Sequence, residues 1–292
     1  MIHKEVKITH PDKPIWEHIN KSAYLSYLVD LSPYLLPFLR DRFLTVIRFP
    51  SGIKGEAFYQ KHVPPYAPSF IQTYQHKGNS YILCNDLSTL LWLGNQLALE
   101  FHISFRTVHE EDPLEIVFDL DPPSRENFPL AIQAAMEMKR IFDQFQIKSY
   151  PKLSGNKGLH IHIPIAGSGL SFDDTRLFTS FIAKYIVEKN PNTFTTERFK
   201  KNRGNKLYVD YVQHADGKTI ICPYSARGKE GATVAAPLYW DEVTDTLHIE
   251  DFHLSSMRKR ISEVGCPFFD YFQQKNEQVT AIITALKNHD FQ

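Results

Sequence analysis

The sequence predicts a mixed α+β fold, and three features of the chain predict it. Apolar runs of strand length alternate with segments of helical spacing. Short turn motifs built from Gly, Asp and Asn fall between neighbouring strand candidates. No repeat, low-complexity stretch or Gly/Ser linker divides the 292 residues, so 1–292 reads as one domain with mixed β-sheets flanked by helices and room for two lobes around a central cleft.

The elements follow in order. Residues 22–39 carry apolar positions at helical spacing, interrupted by Pro33 and Pro37, and read as separate helical segments. A short strand at 44–49 ends at Pro50, and another lies at 81–84. Asp86 and Ser88 start an apolar helix that runs to about residue 99. The strongest strand of the middle region is 114–120, closed by AspProPro. A long helix fits 127–146, and strands at 148–153 and 159–165 flank a SerGlyAsnLysGly loop. A further helix fits 172–188. Strands at 206–213 and 218–222 come next, with Asp216 and Gly217 between them as a hairpin turn, and 272–287 makes a final helix.

Composition narrows the class. Hydrophobic residues are 42% and charged residues 23% of the chain, an ordinary globular balance. No run of about 18 or more apolar residues occurs, so no membrane partner is expected. The N-terminal stretch has neither an apolar signal core nor a transit-peptide pattern, which makes the cytoplasm the expected location. Basic and acidic residues, 33 of each, cancel. That argues against coating nucleic acid through bulk charge and leaves room for a local basic groove. Basic residues gather at 198–206 and 256–260, each readable as a nucleic-acid contact or as a solvated face. Cys84, Cys222 and Cys266 are widely spaced, form no CxxC pair and read as buried small hydrophobes.

The chemistry concentrates at strand ends. Asp119 and Asp121 close an apolar strand two residues apart, so both carboxylates fall on one face. Like charges held that close repel unless a cation lies between them, and carboxylate oxygens suit Mg²⁺ or Mn²⁺. The competing account is a strand-terminating Asp-Pro turn. Asp210 sits in the run LeuTyrValAspTyrVal (207–212), where an acid is costly to bury alone. It either pairs with Arg203 or Lys206, or it completes a three-carboxylate site for two metals roughly 3.5–4 Å apart.

The loop from Ser154 to His160 joins two strands. Its glycines let backbone N–H groups approach an anion closely, Lys157 adds a mobile positive charge and Ser154 a hydroxyl. His160 and His162 share one strand face. The spacing is not that of a Walker A loop, and a plain Gly-rich hairpin with packed histidines accounts for the residues equally well. Arg227, after a later strand, is placed either to clamp phosphate or in a surface turn. Arg48, Lys61 and His62 read as rim residues, and His102 as buried or functional.

Taken together, these segments resemble the polymerase domain of bacterial DNA ligase D, in the archaeo-eukaryotic primase superfamily. The resemblance is carried by ThrHisProAspLys (9–13), ArgPhePro and Gly52 (48–52), PheTyrGlnLysHis (58–62), LeuGluPheHis (99–102), PheAspLeuAspPro (118–122), SerGlyAsnLysGlyLeuHis (154–160), ValAspTyrValGln (209–213), ProTyrSerAlaArg (223–227) and ProLeuTyrTrpAspGluVal (237–243). It implies that Asp119, Asp121 and Asp210 are catalytic and hold Mn²⁺ or Mg²⁺. It further implies that Ser154, Lys157, His160, Gln213, Arg227, Phe58, Lys61 and His102 contact the nucleotide, and that His10, Lys13 and Lys21 recognise a downstream 5'-phosphate. Position 10 is His where the family usually has Asn, and Asn156 stands where Gly is common.

The implied activity is template-directed addition of nucleotides, ribonucleotides preferred and deoxynucleotides accepted, to DNA ends and gaps in non-homologous end joining. The implied partners are Ku and a DNA ligase module. No LysxAspGly ligase motif appears, so a stand-alone relative or a piece of a larger protein is expected. Two other readings share these residues: a catalytically dead end-binding scaffold, and a phosphatase of the haloacid-dehalogenase type, whose AspxAsp also follows an apolar strand.

Overall fold

The computed structural model describes residues 6–289. It is mixed α+β, as the alternation of patterns predicts, and the chain forms two compact units, each assembled from three segments.

The first unit comprises the chain up to His109 together with Thr219–Ala236 and Glu250–Cys266. Its N-terminal strands β1 (Pro14–Trp16) and β2 (Ile19–Asn20) pair with each other. Helix α1 (Lys21–Leu39) follows, its first turn capped by the Asn20 side chain. Then come β3 (Arg42–Arg48), β4 (Phe58–Gln60), the hairpin β5 (Thr73–His76) and β6 (Asn79–Ile82), helix α2 (Leu87–Asn95) and β7 (Ala98–Thr107). The second unit holds Glu110–Lys218, Pro237–Ile249 and the chain from Pro267 onward. It contributes β8 (Glu115–Asp121), α3 (Phe128–Gln144), β9 (Tyr150–Leu153), β10 (Leu159–Pro164), α4 (Phe172–Lys189), β11 (Phe194–Thr195) and β12 (Leu207–Asp210). The chain then returns to the first unit for β13 (Thr219–Ile221) and α5 (Leu254–Val264), and α6 (Glu277–His289) belongs again to the second.

Three expectations are corrected. The prolines do not split 21–39: α1 is one helix of 19 residues. A proline at 33 removes the N–H that would reach the carbonyl of Val29, and the Ser32 hydroxyl donates to that carbonyl instead at 2.7 Å. The apolar run around 89–99 is not a single helix. It turns at Leu97, which adopts a left-handed φ of 59°, and resumes as β7. The apolar run at 97–99 has no alternation that would separate the end of a helix from the start of a strand. Finally, Asp216–Gly217 is not a hairpin turn, because β12 pairs with β8 while β13 pairs with β7 in a different sheet.

In the first unit the sheet order is β13-β7-β3-β4, with β7 central and its Leu99, Phe101 and Ile103 fully buried. Helices α1 and α2 pack against each other where Gly94 leaves room. A Cβ there would lie 2.5 Å from a Leu28 methyl. In the second unit the order is β11-β12-β8-β10-β9, and β8 is antiparallel to both neighbours. One face of this sheet is apolar: Phe118 meets Phe142 of α3 and Phe178 of α4, at ring separations of 5.9 and 6.4 Å. Alternation then sends Glu115, Asp119 and Asp121 to the opposite face. Among the described residues, no helix is long and apolar enough to cross a membrane.

Candidate active site

Strand register assembles a polar row across the second unit's sheet. Lys152 lies opposite His160, His160 opposite Asp119, and Asp119 opposite Asp210, on four neighbouring strands. Cross-strand partners point to the same side, so the two acids and two bases share a face. Asp121, two residues along, stands opposite Tyr208. The Glu115 end of this face is closed. Glu115 is fully buried, accepts a hydrogen bond from the Tyr271 hydroxyl and lies 3.3 Å from His162, over which Phe268 packs. At the opposite end the side chains of Asp119 and Asp121 each remain 27% exposed, so the carboxylates sit at an open rim.

Each acid is held differently. Asp210 Oδ1 accepts from the Val212 and Gln213 amides at 3.0 and 2.8 Å and from the Tyr208 hydroxyl at 3.1 Å, an Asx-type turn that ends β12. Burial first, and the Asp119 charge second, raise its pKa above the ordinary range. Asp121 is engaged by cations: Lys157 Nζ at 3.0 Å and Arg203 at 3.6 Å. Arg203 therefore pairs with Asp121 rather than with Asp210. Its guanidinium lies 3.7 Å from the centre of the Tyr208 ring, opposite Asp121. Lys206 pairs with neither acid and donates to the Pro191 carbonyl at 2.7 Å. Asp121, Lys157, Lys200, Arg203 and Lys206 line a cavity of about 160 Å³ beside the strand end.

The Ser154–His160 segment is the β9–β10 hairpin, and it is built to stay in place. The Ser154 hydroxyl accepts the amides of Asn156 and Gly158 at 3.2 and 3.1 Å. Gly158 is required by close approach, since a Cβ there would come 2.1 Å from the Leu120 carbonyl oxygen. His160 is buried, with Nε2 3.5 Å from Asp119 and Nδ1 3.0 Å from the Lys152 ammonium, which is itself wholly buried. The imidazole is thus held between Lys152 on its Nδ1 side and Asp119 on its Nε2 side.

The predicted nucleotide residues divide between the units. Ser154, Lys157, His160 and Gln213 stand in the second unit with the three acids, while Phe58, Lys61, His102 and Arg227 belong to the first. There Phe58 is exposed on β4 beneath the Arg48 guanidinium, and Lys61 is exposed just beyond it. His102 lies on β7, not past a helix. Its Nε2 is 3.0 Å from Glu100, which also accepts from Arg227 at 2.9 Å and from the Gly228 amide at 3.1 Å.

Of the predicted phosphate-recognition residues, His10 and Lys13 border an open cavity with Asp12. Lys21 is 3% exposed, and its ammonium donates to the Thr9 carbonyl and to Asn95 at 2.6, 3.0 and 3.2 Å, tying the N-terminal segment to the end of α2. Glu100 and Lys152 were not singled out by the sequence reading. Each is a charged residue inside an apolar strand, the signal that had marked Asp210.

A hard divalent ion suits the Asp119–Asp210 pair, two oxygen donors pressed together at a cost in ionisation. Among the described residues, no group of three or more His, Cys, Asp or Glu is arranged to hold a metal as it stands. Asp121 instead faces the cations Lys157 and Arg203.

The acids stand at the open end of a mixed, largely antiparallel sheet beside a Ser/Lys/His hairpin, and the α+β fold that carries them is that of a polymerase domain. The chain superposes on the polymerase domain of Mycobacterium tuberculosis ligase D, solved in complex with DNA. The TM-score is 0.85 at 26% identity, covering 92% of this chain and 99% of that one. The model of the LigD primase-polymerase domain matches residues 20–268, and the chain belongs to that family. It is 50% identical over 289 residues to the bifunctional non-homologous end joining protein LigD of Bacillus subtilis, covering 98% of this chain and 47% of that protein. It is 29% identical over 272 residues to the multifunctional LigD of Mycolicibacterium smegmatis, covering 90% and 35%. The chain thus spans about half the length, or less, of these curated relatives.

Proposed function

We propose that this chain is a metal-dependent, template-directed nucleotidyltransferase that extends or fills DNA ends with nucleotides in non-homologous end joining. The observation that carries the reading is the cross-strand Asp119–Asp210 pair with Asp121 two residues on, bordered on the same sheet edge by His160, Lys157 and Arg203. Asp119 and Asp210 would hold Mn²⁺ or Mg²⁺, with Asp121 joining them. When bound, the metal lowers the pKa of the primer 3'-hydroxyl and balances the charge of the departing diphosphate.

The chain's own residues do the rest. Lys157 and Arg203 now neutralise Asp121, and a triphosphate offers them an anion of higher charge; they turn to it and release the carboxylate. His160 presents its Nε2 edge to a phosphate oxygen, with Lys152 holding the ring from the Nδ1 side. Gln213 and the Ser154 hairpin fix the neighbouring backbone. In the first unit, Phe58, Lys61, His102 and Arg227 supply further nucleotide contacts, and His10 and Lys13 the 5'-phosphate contact, with Lys21 setting the position of their segment. Ku and a ligase module are the proposed partners, and the nucleoid the proposed location. The match over 20–268 sets the phosphatase alternative aside.

The test is extension of a labelled, gapped DNA bearing a downstream 5'-phosphate, with Mn²⁺ and ribo- or deoxynucleoside triphosphates. Asp119→Ala and Asp210→Ala are expected to reduce extension by about a thousandfold or more. Wild-type rates in both variants would overturn the reading. A folded wild type that binds the DNA without extending it would leave the end-binding scaffold instead.

A further inference from the structure

We infer that Glu100 is the positioning residue of the nucleotide site, setting the imidazole of His102 and the guanidinium of Arg227 with a single carboxylate. The inference rests on the reading that these two side chains contact the nucleotide.

Glu100 lies on β7 between Leu99 and Phe101, both fully buried, and is itself 5% exposed. An acid at such a place is unfavourable unless both oxygens are satisfied, and here they are. Oε2 accepts from Arg227 Nη1 at 2.9 Å and faces His102 Nε2 at 3.0 Å, while Oε1 accepts the Gly228 amide at 3.1 Å. Burial by itself would raise the carboxyl pKa. The His102 hydrogen bond, the Arg227 charge and the Gly228 amide outweigh it and hold the value at about 2. Glu100 is therefore a fixed anion at any working pH, and a fixed acceptor at His102 Nε2 requires that nitrogen to carry its hydrogen.

The segment carrying Arg227 is fastened to the same stretch of strand. The Cys222 amide donates to the Phe101 carbonyl at 2.8 Å, and the Phe101 amide donates to the Ser225 hydroxyl at 2.9 Å. Tyr224 adopts a left-handed φ of 65°, and its carbonyl accepts the Tyr27 hydroxyl at 2.6 Å. A non-glycine residue in that conformation is costly and persists where its surroundings over-determine it. Gly228 admits the Phe49 ring, which a Cβ would approach to 2.0 Å. Backbone, ring and carboxylate all converge on the geometry of one guanidinium. A guanidinium donates in a planar fork, so fixing one nitrogen orients the whole plane.

The test turns on a sign. By Coulomb's law alone, a carboxylate beside a triphosphate weakens its binding, so Glu100→Gln should tighten it. Positioning predicts the reverse. Steady-state extension of gapped DNA with Mn²⁺ is measured as a function of nucleoside triphosphate for Glu100→Gln, the double variant His102→Ala/Arg227→Ala and the triple variant, with thermal melting as the folding control. We expect Glu100→Gln to raise KM about tenfold with kcat changed less than about twofold, and to add less than about twofold where both of its partners are already removed. A lowered or unchanged KM in Glu100→Gln, or effects that multiply in the triple variant, would overturn the positioning role while leaving the nucleotide site intact. An unchanged KM in His102→Ala/Arg227→Ala would instead remove both side chains from the nucleotide site, and this inference with them. Should Glu100→Gln fail to fold, Glu100→Asp serves. It keeps the charge and withdraws the carboxylate by one methylene, so a raised KM supports positioning and an unchanged one refutes it.

Discussion

Asp210 shows at the scale of a residue how function opposes stability in this chain. Its carboxylate is partly buried directly opposite Asp119, and both burial and that charge disfavour its ionisation. The amides and the hydroxyl that hold it in place need only an acceptor oxygen, which asparagine also provides. Asp210→Asn is therefore expected to stabilise the metal-free protein by about 1 kcal/mol, a rise of roughly 2–4 °C in Tm, while abolishing extension. Added Mn²⁺ should raise the melting temperature of the wild type and not that of the variant. A variant that melts lower than wild type without metal would show that the pair is not under electrostatic strain.

Among the elements, two short segments illustrate how local exceptions are made good. Helix α1 tolerates Pro33 because the Ser32 hydroxyl takes up the carbonyl left without a donor. Ser32→Ala should cost about 1 kcal/mol in a urea titration, and Pro33→Ala in that background should recover most of it by restoring the helical N–H. Independent effects of the two substitutions would dissociate the hydroxyl from the proline. The β9–β10 hairpin depends in the same way on Gly158, against which the β8 backbone packs without a side chain that can yield. Gly158→Ala is expected to destabilise by about 2 kcal/mol or more and to lower extension, because displacing the hairpin moves Ser154 and His160 from the acids. Unchanged melting would contradict the close approach. Here the sequence was informative only in part: the glycine and the strand pair were legible, but not which backbone the glycine meets.

For the molecule as a whole, two buried groups in different units set the response to acid. Burial holds the His214 imidazole down at about 3 against its ordinary 6.5, with the opposing pull of Glu115 and the added push of Arg176 as smaller effects. An unfolded chain takes up a proton there that the folded chain refuses, so stability falls as pH drops from about 6.5 to 3. Glu100 is held at about 2 against 4.5. The stability that its network contributes is complete above pH 4.5 and is lost between there and 2. Urea midpoints measured from pH 7 downward should decline in both windows, by several kcal/mol in total. His214→Gln should flatten the upper window and Glu100→Gln the lower. A slope that persists unchanged in either variant would assign the acid sensitivity elsewhere.

Much of the second unit could be read from the chain. The apolar 114–120 run, the hairpin glycines and the long amphipathic segments each satisfy a local rule of period or turn chemistry, and their motifs sufficed to place the family. The first unit was less legible. Its central strand β7 does alternate, with Leu99, Phe101, Ile103 and Phe105 against Glu100, His102, Ser104 and Arg106, but it opens on an apolar run at 97–99 that continues the preceding helix and hides where the strand starts. Tertiary structure alone decided the partners: that Arg203 meets Asp121, that Lys206 meets neither acid, that Lys21 is committed to Asn95, and that Glu100 gathers His102 with Arg227. Period and turn propensity are properties of neighbours along the chain. Which charge faces which is set by strand register and segment packing between residues far apart in it, and the 127 positions separating Glu100 from Arg227 carry no local mark of their meeting.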